Sequence, residues 1–528
     1  MRKEQIIQRR SEQPRFLAWS LFGTCFCVGA GTLAAQPSEP LQLWRSGEIE
    51  RASSAAVAVL DGSANDGEAR AVKVLSHFLV GDYEAALAHF KLLDLTDGEL
   101  PEMLRSELAR LMVDAYDHLA RHLEAAAQAR VNGASSGRLA FLERRAAAPF
   151  SATLERTTVV PFAVDNFLGE LMPAVPGRID GEAASLHLDT GGAFLAVSPE
   201  KAATLGVELV EVGTGVAANQ RTEIAMGLVD RLEIGEAVYR NVPLAAVSAL
   251  SEQSEPVRDM VIVGTRLLSP FLVTWDNRAG RLVLSPNDEE SRREHFDRYA
   301  ADAEPFRFYL ARDHYLWARG AVGERDVLFF VDTGLVTLDE EGKQPALTTA
   351  RAELESWGLA PGEARFVSAP GPIRLGNATG DDHSIMVGAD YRNLATLAGL
   401  RPSVLVAHGF LKRFVWTIDF EERTFRLEPI AESPAETATD QATIDLEPYA
   451  GSYALAPGVA LEVKVADGRL LLRAPGQGWV PMTVGEADDT FEIKAAAAVI
   501  RFERGTEGTI EVLVLQQAGF EQRALRSR

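Results

Sequence analysis

Two stretches decide how this chain reads: Ser185-Leu186-His187-Leu188-Asp189-Thr190-Gly191 and Leu328-Phe329-Phe330-Val331-Asp332-Thr333-Gly334. Each is an apolar run ending on a carboxylate, a hydroxyl and a glycine, as expected where a buried strand runs into a tight loop. The two aspartates stand 143 positions apart (332 minus 189). The same offset carries Val261-Ile262-Val263-Gly264 onto Val404-Leu405-Val406-Ala407, and Thr274-Trp275-Asp276 onto Thr417-Ile418-Asp419. It carries Leu282-Val283-Leu284 onto Phe425-Arg426-Leu427 and Gly177 onto Gly320, while Pro161-Phe162 meets Pro305-Phe306 after a one-residue slip. Residues 155–287 and 300–430 are therefore an internal duplication. Each copy is expected to contain strand, turn, strand, acidic loop, apolar strand and closing hairpin.

That order resembles the aspartic peptidases, both the retroviral-type single lobe and the pepsin-like double lobe. The resemblance rests on the two Asp-Thr-Gly loops and on the later pair of apolar residues before Gly264. It implies a mainly β, bilobal fold with two barrel-like lobes facing one cleft. By the same resemblance Asp189 and Asp332 are the catalytic pair, and Thr190 and Thr333 brace the loops. Gly191 and Gly334 permit the tight turns. The implied reaction is peptide-bond hydrolysis of a peptide or protein, with no metal or organic cofactor. Two carboxyls held close split their pKa values and share a proton, so one can act as base on a water while the other polarises the carbonyl. Both loops lie on one chain, so a monomer suffices.

The second copy departs from the family pattern at Leu335, where a small or hydroxyl residue is usual, and at Ala407, where the first copy has Gly264. An added methyl at Ala407 is expected to crowd the loop. These departures motivate a competing reading, a catalytically inactive binding or assembly protein of the cell envelope. The stretch from Gly213 to Gly227, with Asn219 and Gln220 near its tip, is placed for a hairpin over the cleft and has no tyrosine; Tyr239 falls in a later structural strand. Ser198-Pro199 through Gly206 reads as a capped short helix.

The flanks read differently. Residues 1–35 have a basic start (Arg2, Lys3, Arg9, Arg10, Arg15), an uncharged run from Phe16 and a small-residue close at Ala34-Ala35. This is the pattern of a secretory signal peptide, with an uncleaved anchor as the rival; cleavage would leave no stable membrane span. Export to the periplasm or the exterior is expected. The only cysteines, Cys25 and Cys27, lie inside that run, which removes disulfides and thiol chemistry from a cleaved chain. A net charge of −22 argues against nucleic acid as a partner.

Residues 41–147 read as helical, and Gly81 to Phe90 resembles one tetratricopeptide (TPR) repeat, so this region is a candidate site for a protein partner. Arg144, Arg145 and the following alanines are expected to be a linker. After a second linker at 431–443, residues 444–528 alternate short strands with turns at Pro457-Gly458, Asp467-Gly468 and Glu507-Gly508. This part resembles the small β-barrel domain trailing many exported bacterial serine β-lactamase-like hydrolases. His187, His314, His383 and His408 lack ligand spacing, and no Gly-x-Ser-x-Gly elbow is present.

Overall fold

In a computed structural model, the described residues are 37–527, apart from 94–99, 165, 218–219, 340, 382, 389–396, 431–444 and short segments in the last 80 residues (457–458, 467, 476–478, 486, 494–497, 507, 518–519). The signal segment 1–35, the linker 431–443, Asn219 and the turn residues Pro457, Gly458, Asp467 and Glu507 lie outside the described residues. The architecture is mostly β, with an N-terminal helical region and a C-terminal closed barrel. Among the described residues no helix is long and apolar enough to cross a membrane.

The helices are α1 (Glu39–Arg45), α2 (Ile49–Gly62), α3 (Gly67–Leu79), α4 (Tyr83–Lys91), α5 (Glu102–His118), α6 (His122–Val131) and α7 (Ser136–Ala147). Side-chain caps start three of them. Asp66 accepts from the Ala69 N–H at 2.8 Å, Asp82 from Ala85 at 3.2 Å and Ser135 from Arg138 at 3.2 Å. Arg144 and Arg145 form the last turn of α7 rather than a linker, because the alanines after them continue the helix. Arg145 is buried and ion-paired with Asp117 of α5.

What the helices pack against is decided by the alternation of strands in the second copy. Phe308, Leu310, Leu316, Phe329, Val331, Val404 and Val406 face the central β core. Their neighbours Tyr309, Ala311, Tyr315, Trp317, Phe330, Leu405 and Ala407 face the other way, into one cluster with Leu75, Phe78, Leu79 and Leu108 of α3 and α5. A period of two with both faces apolar gives the unbroken hydrophobic runs seen in the sequence. Trp44 of α1 adds a bond from its Nε1 to the Leu397 carbonyl at 2.9 Å.

In the first copy, strand Glu182–Leu188 runs parallel to Val261–Val263; in the second, Arg325–Asp332 runs parallel to Val404–Ala407. The copies join through Leu272–Asp276, antiparallel to Phe414–Asp419. At the centre of that join Thr274 faces Thr417, its counterpart at the 143-residue offset, with hydroxyls 2.6 Å apart. The Trp275 and Trp416 rings stack beside them at 4.7 Å.

Eight strands from Gly451–Ala456 to Phe520–Arg526 close the C-terminal barrel, filled by its own Tyr453, Phe491, Ile500 and Phe502. Its outer residues Leu471 and Trp479 pack on Leu338, and Arg469 pairs with Glu170 at 3.2 Å.

Candidate active site

Asp189 and Asp332 lie at the ends of the two parallel-paired strands, and the loops they open interlock. The Thr190 N–H donates to Thr333 Oγ1 at 3.0 Å, and the Thr333 N–H donates to Thr190 Oγ1 at 3.1 Å. Each hydroxyl then donates across to the opposite strand, Thr190 to the Val331 carbonyl at 3.2 Å and Thr333 to the Leu188 carbonyl at 3.1 Å. Four buried bonds related by one two-fold fix the spacing of the carboxyls. Thr333→Val should therefore leave the Thr190 N–H without an acceptor and cost about 2–4 kcal/mol, read as a lower denaturation midpoint with unchanged m. Thr333→Ser, which keeps the hydroxyl, should cost less than half of that.

Both glycines are required by close approach rather than by a left-handed backbone. A Cβ on Gly191 would sit 2.6 Å from Asp332 Oδ1, and one on Gly334 would sit 2.6 Å from both Asp189 oxygens. Each glycine thus lies against the opposing carboxyl. Each also donates its own N–H to its loop's aspartate, Gly191 to Asp189 Oδ1 at 2.8 Å and Gly334 to Asp332 Oδ1 at 2.7 Å.

Residues 175–266, which contain the first loop, match the aspartyl protease family model. That stretch, and not the whole chain, is what resembles the aspartyl protease family. Among curated proteins none matches this chain. Among solved structures, a retropepsin-like aspartic protease from Rickettsia conorii is 17% identical, with a TM-score of 0.20, covering 26% of this chain and 95% of its own. Conglutin gamma, a basic 7S globulin from lupine seeds, is 11% identical, with a TM-score of 0.34, covering 52% of this chain and 95% of its own.

Both aspartates are fully buried, and neither Oδ2 has a donor among the described residues. Two facing acceptors are reconciled by one shared proton. Burial, and then the charge of Asp189, push Asp332 well above the ordinary carboxyl range, against the Gly334 N–H. Burial also raises Asp189, but the hydrogen bond with Asp332, the Gly191 N–H and the nearby His314 pull it back. Both carboxyls are raised, and the proton belongs to the pair.

The two departures from the family pattern have a packing reason. Leu335 and Ala407 are buried in the cluster shared with the helices. The segment between Asp332 and the next strand, Leu347–Thr349, is nine residues longer than that between Asp189 and Leu195–Val197. The Ala407 N–H consequently bonds the Ala346 carbonyl, where Gly264 bonds that of Phe194, both at 2.8 Å. The methyl enters an apolar cluster instead of crowding the Asp332 loop.

The hairpin expected over the cleft is present as strands Val210–Ala217 and Gln220–Ile234. Its Ile224, with Val212 and Met226 beside it, joins Phe167, Leu168, Met172 and Val336 in a cluster that also holds Ile262, behind Gly192. Tyr239 is buried in the core as expected, and Ser198 caps the helix Pro199–Thr204. His187 sits on the face opposite Leu186 and Leu188, beside Phe167, and burial lowers its pKa to about 4.

Two contacts escaped the sequence reading. Thr265 donates from Oγ1 to the Thr190 carbonyl at 2.9 Å, and His314 Nε2 lies 3.1 Å from the Gly191 carbonyl. Thr265 directly follows the Gly264 motif, a signal that was available; His314 is 123 positions from its partner, with no local signature. Among the described residues no group of three His, Cys, Asp or Glu side chains is placed to hold a metal.

Proposed function

We propose that the chain is an aspartic-type endopeptidase whose two copies are the lobes of one catalytic unit, with Asp189 and Asp332 as its dyad. The observation that carries this reading is the reciprocal threonine interlock, which sets two buried carboxyls face to face on one chain. Asp189 would take a proton from a water as its oxygen attacks the scissile carbonyl carbon. Asp332 would give its proton to the carbonyl oxygen, forming a tetrahedral diol. Collapse of the diol then breaks the C–N bond as one diol hydroxyl returns a proton to Asp332 and the leaving amine takes up the proton that Asp189 gained. The titration belongs to the pair. Thr190, Thr333, Gly191 and Gly334 support the loops; the mechanism needs no metal or organic cofactor.

The rest of the assignment follows from this reading. Residues 1–35 direct export to the periplasm or exterior, the catalytic unit acts as a monomer, and the TPR-like helices brace the second lobe. The full burial of both carboxyls requires whatever covers them to move before substrate enters. That same burial favours a second reading, a peptidase-fold binding protein that never opens. Pepstatin, whose statine hydroxyl mimics the diol, separates the two. The peptidase reading expects tight binding that is lost in Asp189→Asn; no binding to folded protein at any pH supports the second reading.

A further inference from the structure

Behind the first loop lies a set of partly buried charges that the hydrolytic steps do not use. His314 is on the turn between strands Phe306–Ala311 and Tyr315–Val322 and is buried. Its Nε2 faces the Gly191 carbonyl at 3.1 Å, and its Nδ1 faces Asp313 Oδ1 at 2.5 Å. Both partners can only accept, so the ring is satisfied when each nitrogen carries a proton. Gly191 is thereby held at both ends, its N–H by Asp189 and its carbonyl by His314. Among the described residues no side chain reaches the matching carbonyl of Gly334 in the second loop.

The pair is backed by the helical region. Asp114 of α5 is half-buried within charge range of Asp313, and desolvation and that neighbour raise it to about 7. Burial opposes the charge on Asp313, but His314, Arg266 and His118 hold it low. His118 reaches the Arg312 carbonyl at 3.3 Å, and the Arg312 side chain lies 3.9 Å from Glu107. Asp117 is shared by Arg145, by His122 at 3.1 Å and by Arg266 at 3.5 Å. Arg138 of α7 also acts on Asp114, and the Tyr315 ring covers His314 at 4.1 Å.

We propose that Asp313 and His314 are a positioning pair that holds the Gly191 peptide and makes the two catalytic loops inequivalent, assigning the base role to Asp189. The inference rests on the peptidase reading. It deepens that reading by giving the helical region a part in the site, since α5 supplies the charges that surround Asp313. A one-sided cation near one carboxyl of a shared-proton pair favours ionisation there and leaves the proton on the other.

The test uses the full chain carrying His314→Ala, His314→Gln or Asp313→Asn. Thermal unfolding first establishes that each is folded. Two readouts follow: the pH profile of kcat and KM, and the titration of the Asp189 and Asp332 carboxyls followed by carbon-13 NMR. His314→Ala is expected to lower kcat by about 10- to 100-fold with little change in KM. It should also move the acid limb upward by about one pH unit. His314→Gln restores an N–H donor but no charge, so it should recover rate while keeping the displaced limb. Asp313→Asn should fall between wild type and His314→Ala in both readouts. Unchanged carboxyl titration in a folded His314→Ala protein overturns the proposal, whatever the rates. If wild type cleaves no peptide but the titration still moves in His314→Ala, the pair stands and the peptidase reading falls.

Discussion

Asp332→Asn is expected to abolish peptide cleavage, lowering kcat by at least about 10³-fold, while making the folded protein more stable at neutral pH. The opposing directions follow from one cause. Two fully buried carboxyls face one another, and both are raised above the ordinary range. A carboxyl with a raised folded pKa contributes stability that is complete below the unfolded value near ~4 and is lost as pH rises through the folded value. Asparagine has the shape of the protonated acid and no charge to lose. It keeps an acceptor for the Gly334 N–H and can donate to Asp189, so the gain at pH 7 should be on the order of 1–3 kcal/mol. The buried histidines His187, His295 and His408, and the half-buried His118, have lowered values and titrate with the opposite sign. The informative quantity is therefore the difference between variant and wild type. That difference should grow as pH rises from about 4 to 7, followed by denaturant unfolding at several pH values. Asp189→Asn should lose activity equally and also gain stability, because both carboxyls are raised. Equal activity in wild type and either variant would remove the dyad from the mechanism.

Gly264→Ala has the second large expected effect, and its counterpart shows why. Gly264 has φ −95 and ψ 177, and Ala407 has φ −103 and ψ 173, so alanine suits the backbone at both positions. The neighbour decides the outcome. A methyl on Gly264 would be driven into the backbone carbonyls of Gly192 and Ala193, and the first of these is tied to the Thr265 N–H at 2.9 Å. Backbone held on both sides cannot rotate away as a flexible side chain does. Overpacking of this kind costs about 1–3 kcal/mol. It would also shift the first loop, because Thr265 Oγ1 holds the Thr190 carbonyl within the interlock. The expectation is a loss of cleavage of about 10²-fold, beyond what stability explains, since misplacement by ~1 Å costs that much in a positioned site. Ala407→Gly should cost about 1 kcal/mol through the lost methyl and leave activity nearly intact. Equal effects at the two positions would contradict the asymmetry described for the loops.

How far the sequence went can be followed residue by residue. The two Asp-Thr-Gly loops, the 143-residue offset and the hairpin at 210–234 were legible because duplication and strand alternation are periodic along the chain. The offset reappears as a physical pairing at Thr274 and Thr417. Leu335 and Ala407 were legible only as departures. Their reason, a cluster shared with the helices, depends on which face of a strand meets another region, and alternation with both faces apolar does not mark that. Arg144 and Arg145 were read as a linker because alanine runs suit linkers and helices alike. The buried Asp117 that settles it lies 28 positions away. The pairing of His314 with Gly191 spans 123 positions and leaves no pattern in either segment. Local chemistry was readable; long-range polar contacts were not.

The most direct measurement is digestion of a diverse peptide library by the purified full chain from pH 3 to 8, read by mass spectrometry, beside Asp189→Asn and Asp332→Asn. A single catalytic unit predicts defined cleavage sites in wild type and none in either variant. No cleavage at any pH by protein shown to be folded, or cleavage that survives in one of the variants, would contradict it.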